Sequence, residues 1–175
     1  LSNGLGITQF YRVATADNAT FVLGGSQDNG TKRVTFAGGS NPLTGGDGMD
    51  CQIDPSNSST FYTSSQYGNI NRTINNGGSY SNISNNIPGD PTGDWITPFI
   101  LHPNDPSTLY AGYVHIYKSE NRGSSWTDIS PTLPTSGSLI RRIAMTPQDN
   151  DLIYFVSGSS TIRYTTNQGA NWAVL

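Results

Sequence analysis

The sequence has little charge and only one cysteine. Of its 175 residues 12% are charged, and 9 Lys and Arg against 12 Asp and Glu give a formal net charge of −3. The basic residues are scattered, so the chain lacks the basic patch that nucleic acid or an anionic membrane surface requires. Cys51 has no second cysteine to pair with, and we expect it to be a small buried hydrophobic residue. Nucleic acid is therefore not expected as a partner.

Long apolar segments are also missing. The longest runs, such as Ile96 to Leu101 with its interruption at Pro98, are far shorter than the roughly 18 residues of a membrane-spanning helix. With 20 Gly and 10 Pro, the composition also disfavours long amphipathic helices. We therefore predict an all-β protein of short strands and frequent turns, without membrane insertion.

One turn motif occurs three times, over residues 73–80, 119–126 and 166–172. Its asparagines are evenly spaced, since 121 − 75 = 46 and 167 − 121 = 46. In each copy the Asn side chain can bond backbone amides ahead of it, the Gly can take a left-handed conformation, and the aromatic residue re-enters a strand. A constant period of this length indicates a repeat architecture. The residues expected in this structural role are Asn75, Gly77, Tyr80, Asn121, Gly123, Trp126, Asn167, Gly169 and Trp172.

The segments upstream of the turns extend the repeat to a full unit. In three units a Pro is followed seven residues later by a Tyr, as in Pro103 and Tyr110. Each unit then reads as four short strands; in the third unit they are expected at about 96–101, 108–113, 115–119 and 125–129. Four-stranded units in a row predict a β-propeller of antiparallel blades. The expected blades are approximately 7–43, 47–84, 94–130 and 138–175.

The first unit follows the same plan, with strands expected at 9–14 and 20–25. Its turn position reads Phe36-Ala-Gly-Gly39, so the motif has decayed there. Because propellers close with about four to eight blades and an open arc leaves faces unpaired, we expect further blades of a parent protein to complete the ring.

The turn motif resembles the Asp-box, or bacterial neuraminidase repeat, Ser/Thr-x-Asp/Asn-x-Gly-x-x-aromatic. Four further segments, 7–12, 24–31, 45–50 and 65–72, are similar to the sortilin-like propellers of secreted Bacteroidota proteins. The resemblance covers nearly the whole chain. It implies a propeller within a large exported protein, extracellular or at the cell surface, of the type carried by type IX secretion.

The loops expected at the mouth of the central channel are those that enter each first strand and those that join second and third strands. They carry carboxylates, amides, aromatic rings and an Arg, which suit recognition of a glycan or a protein segment. The candidate ligand-binding residues are Asp28, Asn29, Asp47, Asp50, Gln66, Tyr67, Asp94, Trp95, Tyr113, His115 and Arg141.

Several candidates also fit a structural role. Asp28 and Asp47 stand in ordinary turn sequences and can cap their own loops. Asp50 can instead be a strand residue, turned by alternation to the face opposite Cys51. His115 lies in an aromatic strand, where packing is an alternative to ligand contact.

Catalysis and metal binding have weaker support. The arginines do not recur at one blade position, as a sialidase triad would require, so sialidase activity is not expected. A glycoside hydrolase needs two carboxylates across a cleft, and the available pair is Asp28 with Asp47 or Asp94.

No cofactor is expected. Calcium accepts oxygen ligands of the kind found at Asp47, Asp50, Asp54 and Asn57, but their spacing is not that of an EF-hand loop.

We therefore expect a non-catalytic extracellular module that acts as a rigid binding or display scaffold for glycan or protein. The alternative is part of a glycoside hydrolase propeller whose catalytic carboxylates lie partly outside this chain.

Overall fold

The computed structural model describes residues 8–133, 138–158 and 160–175, and within these ranges it shows four four-stranded antiparallel sheets, which we call blades 1 to 4. Blade 1 consists of β1 (Phe10–Ala14), β2 (Phe21–Ser26), β3 (Gly30–Thr35) and β4 (Ser40–Pro42). Blade 2 consists of β5 (Cys51–Ile53), β6 (Phe61–Ser65), β7 (Asn69–Thr73) and β8 (Ser81–Asn82). Blade 3 consists of β9 (Phe99–His102), β10 (Asp105–Gly112), β11 (Ile116–Ser119) and β12 (Thr127–Asp128). Blade 4 consists of β13 (Ile140–Thr146), β14 (Asp149–Ser157), β15 (Thr161–Thr165) and β16 (Ala173–Val174).

The strands of each blade pair in chain order. The first strands β1, β5, β9 and β13 contact one another in succession, so they form the inner side of the arc. This arrangement confirms the predicted all-β class of four-stranded antiparallel blades.

Several strand boundaries in blade 3 differ from the prediction, and local chemistry explains two of them. The first strand begins at Phe99 rather than Ile96, because Pro98 has no N–H to donate and Thr97 bonds back to the carbonyl of Asp94. The fourth strand begins at Thr127 rather than Ser125, because the Ser125 amide donates to the Asn121 side chain within the turn.

The hydrophobic core lies between successive blades as three clusters. Neighbouring residues of one strand face opposite blades, as period-two alternation requires: Phe61 packs toward blade 1 and Tyr62 toward blade 3. Cys51 is buried in the cluster between blades 1 and 2, which confirms its expected packing role. Each of these clusters therefore joins two successive blades.

Helical structure in the described ranges amounts to two short 3-10 turns, Gln66–Gly68 and Ser84–Asn86. None of the helices in this part of the chain is long and apolar enough to cross a membrane. Successive hairpins place the loops alternately on two sides of the arc. One side carries the loops that enter first strands and the loops that join second to third strands, and we call it the upper face. The opposite side is the lower face.

Candidate functional site

The three repeated Asn turns lie on the lower face and share one hydrogen-bond pattern. In the turn at 119–126, the Ser119 hydroxyl accepts from the Gly123 amide at 2.8 Å and donates to the Asn121 side chain at 3.0 Å. The Asn121 oxygen then accepts from the Ser125 amide at 2.8 Å. The same bonds recur in the other two copies. In the last copy the hydroxyl belongs to Thr165, one residue before the start assigned from sequence.

The aromatic residues of these turns connect blades. The indole N–H of Trp126 donates to the Ile83 carbonyl, and that of Trp172 donates to the Ile129 carbonyl, each at 2.9 Å. Tyr80 packs edge-on against Phe61. The turn residues therefore contact protein, not the upper face.

On the upper face, the loop between β6 and β7 holds Tyr67 in a left-handed backbone conformation. Its φ of 61° is rare for a residue other than glycine and costs on the order of 1 kcal/mol. Two hydrogen bonds hold the loop: the Gly93 amide donates to the Tyr67 carbonyl at 2.9 Å, and the Tyr113 hydroxyl donates to the Gly68 carbonyl at 2.5 Å. Strain that is maintained in this way is typical of binding sites.

Tyr67 of this loop forms an exposed aromatic pair with Trp95 of the loop that enters β9. The rings of Tyr67 and Trp95 meet edge-to-face with centroids 5.4 Å apart, within the usual range for a favourable aromatic pair. Tyr67 is 53% exposed and Trp95 39% exposed. The two rings come from different loops, so the pair forms only in the folded chain.

Carboxylates flank the aromatic pair on both sides. Asp47 accepts from the Asp28 amide at 2.7 Å with one oxygen and from the Gln66 amide group at 2.6 Å with the other, so it connects blades 1 and 2. Asp94 accepts from the Trp95 amide at 2.9 Å and forms an ion pair with Arg141 at 3.2 Å. The result is a continuous polar and aromatic strip from blade 1 to blade 4.

A cavity of about 400 Å³ opens beside this strip. Asp94, Trp95 and Arg141 line it. Val156 and Gly158 of blade 4 also contribute. Charged, aromatic and apolar groups therefore converge at one place on the upper face.

Asp50 differs from the other carboxylates. Met49, Cys51 and Ile53 are buried, and Asp50 is turned to the other side of the strand, as the alternation argument had allowed. Burial raises the pKa of Asp50 to about 6, although the amide of Cys51 and the charge of Arg12 favour its ionised form. A carboxyl with such a pKa can exchange a proton near neutral pH.

One candidate needs correction. Tyr113 is buried and supports the Tyr67 loop from below, so it cannot contact a ligand directly. His115 is partly buried, is paired with Asp128 through its Nδ1 atom at 2.5 Å and packs against Tyr117, so its role in ligand binding stays a prediction. Asn29 is exposed, and its amide group donates to the Gln27 carbonyl.

The oxygen ligands considered for calcium do not share a site. Asp54 lies at the other end of β5 from Asp50, is buried, and bonds to Ser56 and Arg122. Within the three described ranges, no group of three or more His, Cys, Asp or Glu side chains is placed to hold a metal ion.

Sequence reasoning missed several groups that shape the site. The charge of Arg12 in blade 1 acts to lower the pKa of Asp50, and nothing in the sequence context of Arg12 indicates this. Gly68 has φ of 86°, and a Cβ there would lie 2.5 Å from the Tyr113 ring; the Tyr-Gly pair was a usable signal for this close approach. Asp128 as the partner of His115 had no sequence signal.

The chain is similar to solved propeller structures. An ancestral GH74 enzyme matches with a TM-score of 0.71 and 18% identity over 94% of this chain and 23% of its own. The GH74 xyloglucanase from Xanthomonas campestris gives a TM-score of 0.67 and 16% identity over 94% of this chain and 29% of its own. The β-propeller domain of Cps50 (Swd1) from Myceliophteria thermophila gives 0.64 and 9% identity over 94% and 54%, respectively.

The chain therefore spans about a quarter of the GH74 enzymes and about half of the Cps50 domain. No protein-family model matches it, and no curated protein matches it in sequence. Its four antiparallel sheets and these structural similarities show that the chain has the β-propeller fold.

Proposed function

We propose that this chain is a non-catalytic, glycan-binding segment of an extracellular β-propeller protein. The observation that carries the proposal is the exposed Tyr67–Trp95 pair beside the cavity formed with Asp94 and Arg141. Sugar rings stack on aromatic faces, and their hydroxyls bond carboxylate and guanidinium groups. The strip offers both kinds of contact within one surface.

The pre-formed geometry favours binding over a structural role for this loop. Tyr67 is held in a rare backbone conformation by bonds from Gly93 and, through Gly68, from Tyr113. An ordered loop loses less conformational freedom when a ligand binds, so more of the contact energy appears as affinity.

The bonding of the carboxylates favours binding over catalysis. Both oxygens of Asp47 accept hydrogen bonds, and Asp94 is occupied by the Trp95 amide and Arg141. Groups bonded in this way are suited to holding hydroxyls and less suited to the changing protonation that a general acid needs.

The three Asn turns support the wider context of the proposal. Their hydroxyl, Asn and Gly bonds match the Ser/Thr-x-Asn-x-Gly pattern of Asp-box, or bacterial neuraminidase repeat, proteins. Together with the resemblance of residues 7–12, 24–31, 45–50 and 65–72 to sortilin-like propellers, this supports our proposal that the chain belongs to an exported propeller protein of the Bacteroidota type, delivered by type IX secretion to the outside of the cell.

The test is affinity electrophoresis and calorimetry of the chain with xyloglucan, mixed-linkage β-glucan and chitin oligosaccharides. Trp95→Ala and Tyr67→Ala are each expected to lower the affinity for whichever of these glycans the chain binds about tenfold. This corresponds to about 1.4 kcal/mol of binding free energy. Phe36→Ala is the matched control, because Phe36 is an exposed aromatic residue of the lower face. Equal losses in all three variants, or binding of none of the glycans, would refute the proposal.

A glycoside hydrolase is the second candidate, and Asp50 is the observation that favours it. Its pKa of about 6 suits a general acid, and one structural neighbour is named a xyloglucanase. The test is release of reducing ends from xyloglucan by the chain and by Asp50→Asn. If the chain releases reducing ends and Asp50→Asn does not, hydrolysis replaces the binding proposal. If the chain binds xyloglucan without releasing reducing ends, the result supports the binding proposal.

A further inference from the structure

A second cavity opens beside the aromatic pair, at the outer strands β7 and β8 of blade 2. Its volume is about 260 Å³, and Tyr67 lines it, whereas Trp95 lines the cavity of about 400 Å³ described above. Each cavity therefore includes one ring of the pair. We call the second cavity the rim cavity, and the residues that line it include Gln66, Tyr67, Asn69, Asn82, Asn85 and Asp90.

The rim cavity has amide groups whose orientation is fixed by the chain itself. The Asn82 side-chain oxygen accepts from the Asn85 backbone amide at 3.0 Å and from the Ser84 hydroxyl at 2.9 Å. Because a backbone N–H can only donate, the other end of the Asn82 side chain is its NH₂ group, and this group donates to the Asn69 oxygen at 2.7 Å. The amides are therefore in place before a ligand binds.

Several polar groups of the rim cavity are left for a ligand. The Asn69 oxygen accepts from Asn82 and, at 3.2 Å, from Asn71, whereas the Asn69 NH₂ group has no partner among the described residues. The side chains of Asn85 and Asp90 are exposed, and within the same residues neither forms a hydrogen bond. Amide donors beside a carboxylate acceptor suit hydroxyl groups, which both donate and accept.

The backbone of the rim cavity contains two conformations that the blade repeat does not explain. Tyr67 has φ of 61° and Asp90 has φ of 44°. Positive φ also occurs at Asn76, Arg122 and Gln168, but these three residues occupy one position of the repeated Asn turns. Rare conformations that are maintained outside such turns are typical of binding sites.

The rim cavity is continuous with the polar and aromatic strip. Gln66 lines the rim cavity, and its side-chain amide donates to Asp47 at 2.6 Å. Tyr67 lines the same cavity and meets Trp95 with ring centroids 5.4 Å apart. A ligand held at Trp95 can therefore extend past the Tyr67 ring into the rim cavity.

The charge of the rim cavity indicates which sugars fit it. Asp90 is the charged residue that lines it, and no Lys or Arg is among the lining residues. An acidic sugar would place a second negative charge near Asp90 without a cation to compensate for the repulsion. Neutral sugars meet no such penalty.

We propose that the rim cavity is a second sugar subsite, which together with the cavity at Trp95 holds a neutral oligosaccharide longer than a disaccharide. The inference rests on the proposed glycan-binding function and adds the length and the charge of the ligand. The ligand then crosses the aromatic pair, with one sugar at Trp95 and another among the amides of blade 2.

The length of the ligand is tested by calorimetry with chitobiose, chitohexaose, cellobiose and cellohexaose. In the series that binds, the hexasaccharide should bind at least tenfold more tightly than the disaccharide. Asn85→Ala removes a side chain that has no partner among the described residues, and it should weaken hexasaccharide binding about fivefold, as expected for one hydrogen bond. It should leave disaccharide binding unchanged. Asn41→Ala, at an exposed residue of β4 outside the rim cavity, is the matched control and should change neither.

The charge of the ligand is tested with an oxidised form of the hexasaccharide that binds, in which the primary alcohols are carboxylates. This form should bind the wild type at least tenfold more weakly than the neutral one. Asp90→Asn should reduce the difference, because asparagine keeps the shape of the side chain and tolerates positive φ. Equal binding of the two forms, or a difference that persists in Asp90→Asn, would overturn the assignment of a neutral ligand.

The outcomes separate this inference from the proposed function. Equal affinities for the disaccharide and the hexasaccharide, both unchanged by Asn85→Ala, would overturn the second subsite and leave the binding proposal in place. If the chain binds neither series, the second subsite is refuted, and the glycans of the preceding test decide whether the binding proposal fails with it.

Discussion

Replacement of Gly123 by Ala tests whether the close contact between blades 2 and 3 stabilises the arc. Gly123 has φ of 84°, and a Cβ there would lie 2.4 Å from Ile83 Cδ1. The left-handed conformation costs an alanine about 1–2 kcal/mol, and overpacking a filled contact adds about 1–3 kcal/mol. We expect Gly123→Ala to lower the free energy of unfolding by about 2–5 kcal/mol.

Two matched variants separate these causes. Gly38 has φ of 88° but open space around it, so Gly38→Ala should show only the backbone cost of about 1–2 kcal/mol. Gly45 has open space and no left-handed φ, so Gly45→Ala should show no loss. Urea unfolding of the three variants gives the free energies, and in a chain of this size each kcal/mol corresponds to about 2–4 °C in Tm. Equal losses in Gly123→Ala and Gly38→Ala would refute the packing argument.

Three other outcomes can be measured on the same chain. Trp126→Phe leaves the Ile83 carbonyl without the indole donor and should cost about 1–3 kcal/mol in urea unfolding; a neutral result would mean that the bond is replaced. Because burial raises the pKa of Asp50 to about 6, its ionised form destabilises the native state above that pH, and the penalty disappears below its unfolded pKa of about 4. Asp50→Asn should therefore be more stable than the wild type at pH 8 and no more stable at pH 4, and equal differences at both pH values would contradict this. Burial also raises the pKa of the Cys51 thiol to about 12, so Cys51 should react with a thiol reagent only under unfolding conditions; rapid labelling of the native chain would show that the cluster between blades 1 and 2 opens.

The fold could be predicted because its signals are local. The bonds within each Asn turn join residues at most four positions apart, such as Ser119 and Gly123, so residue type and spacing are sufficient to recognise them. Repetition at 46 residues then makes each unit evidence for the others. Strand ends were predicted less well, because Pro98 and the Asn121 side chain decide where pairing can begin.

The candidate site could be predicted only as a set of loops. Sequence singled out Asp47, Gln66, Tyr67 and Trp95 because alternating hairpins send their loops to one side of the sheets. It could not show that Gln66 bonds Asp47 or that Tyr67 meets Trp95, since these contacts join different loops. It also gave Tyr113 a ligand-binding role that its burial under Gly68 excludes.

The sequence by itself therefore determined the blade plan, through turn bonds between near neighbours and a constant period. Tertiary structure alone decided the environment of each side chain. Asp50 is the clearest case, because its pKa depends on burial among groups that include Phe99 and Arg12, which belong to other blades.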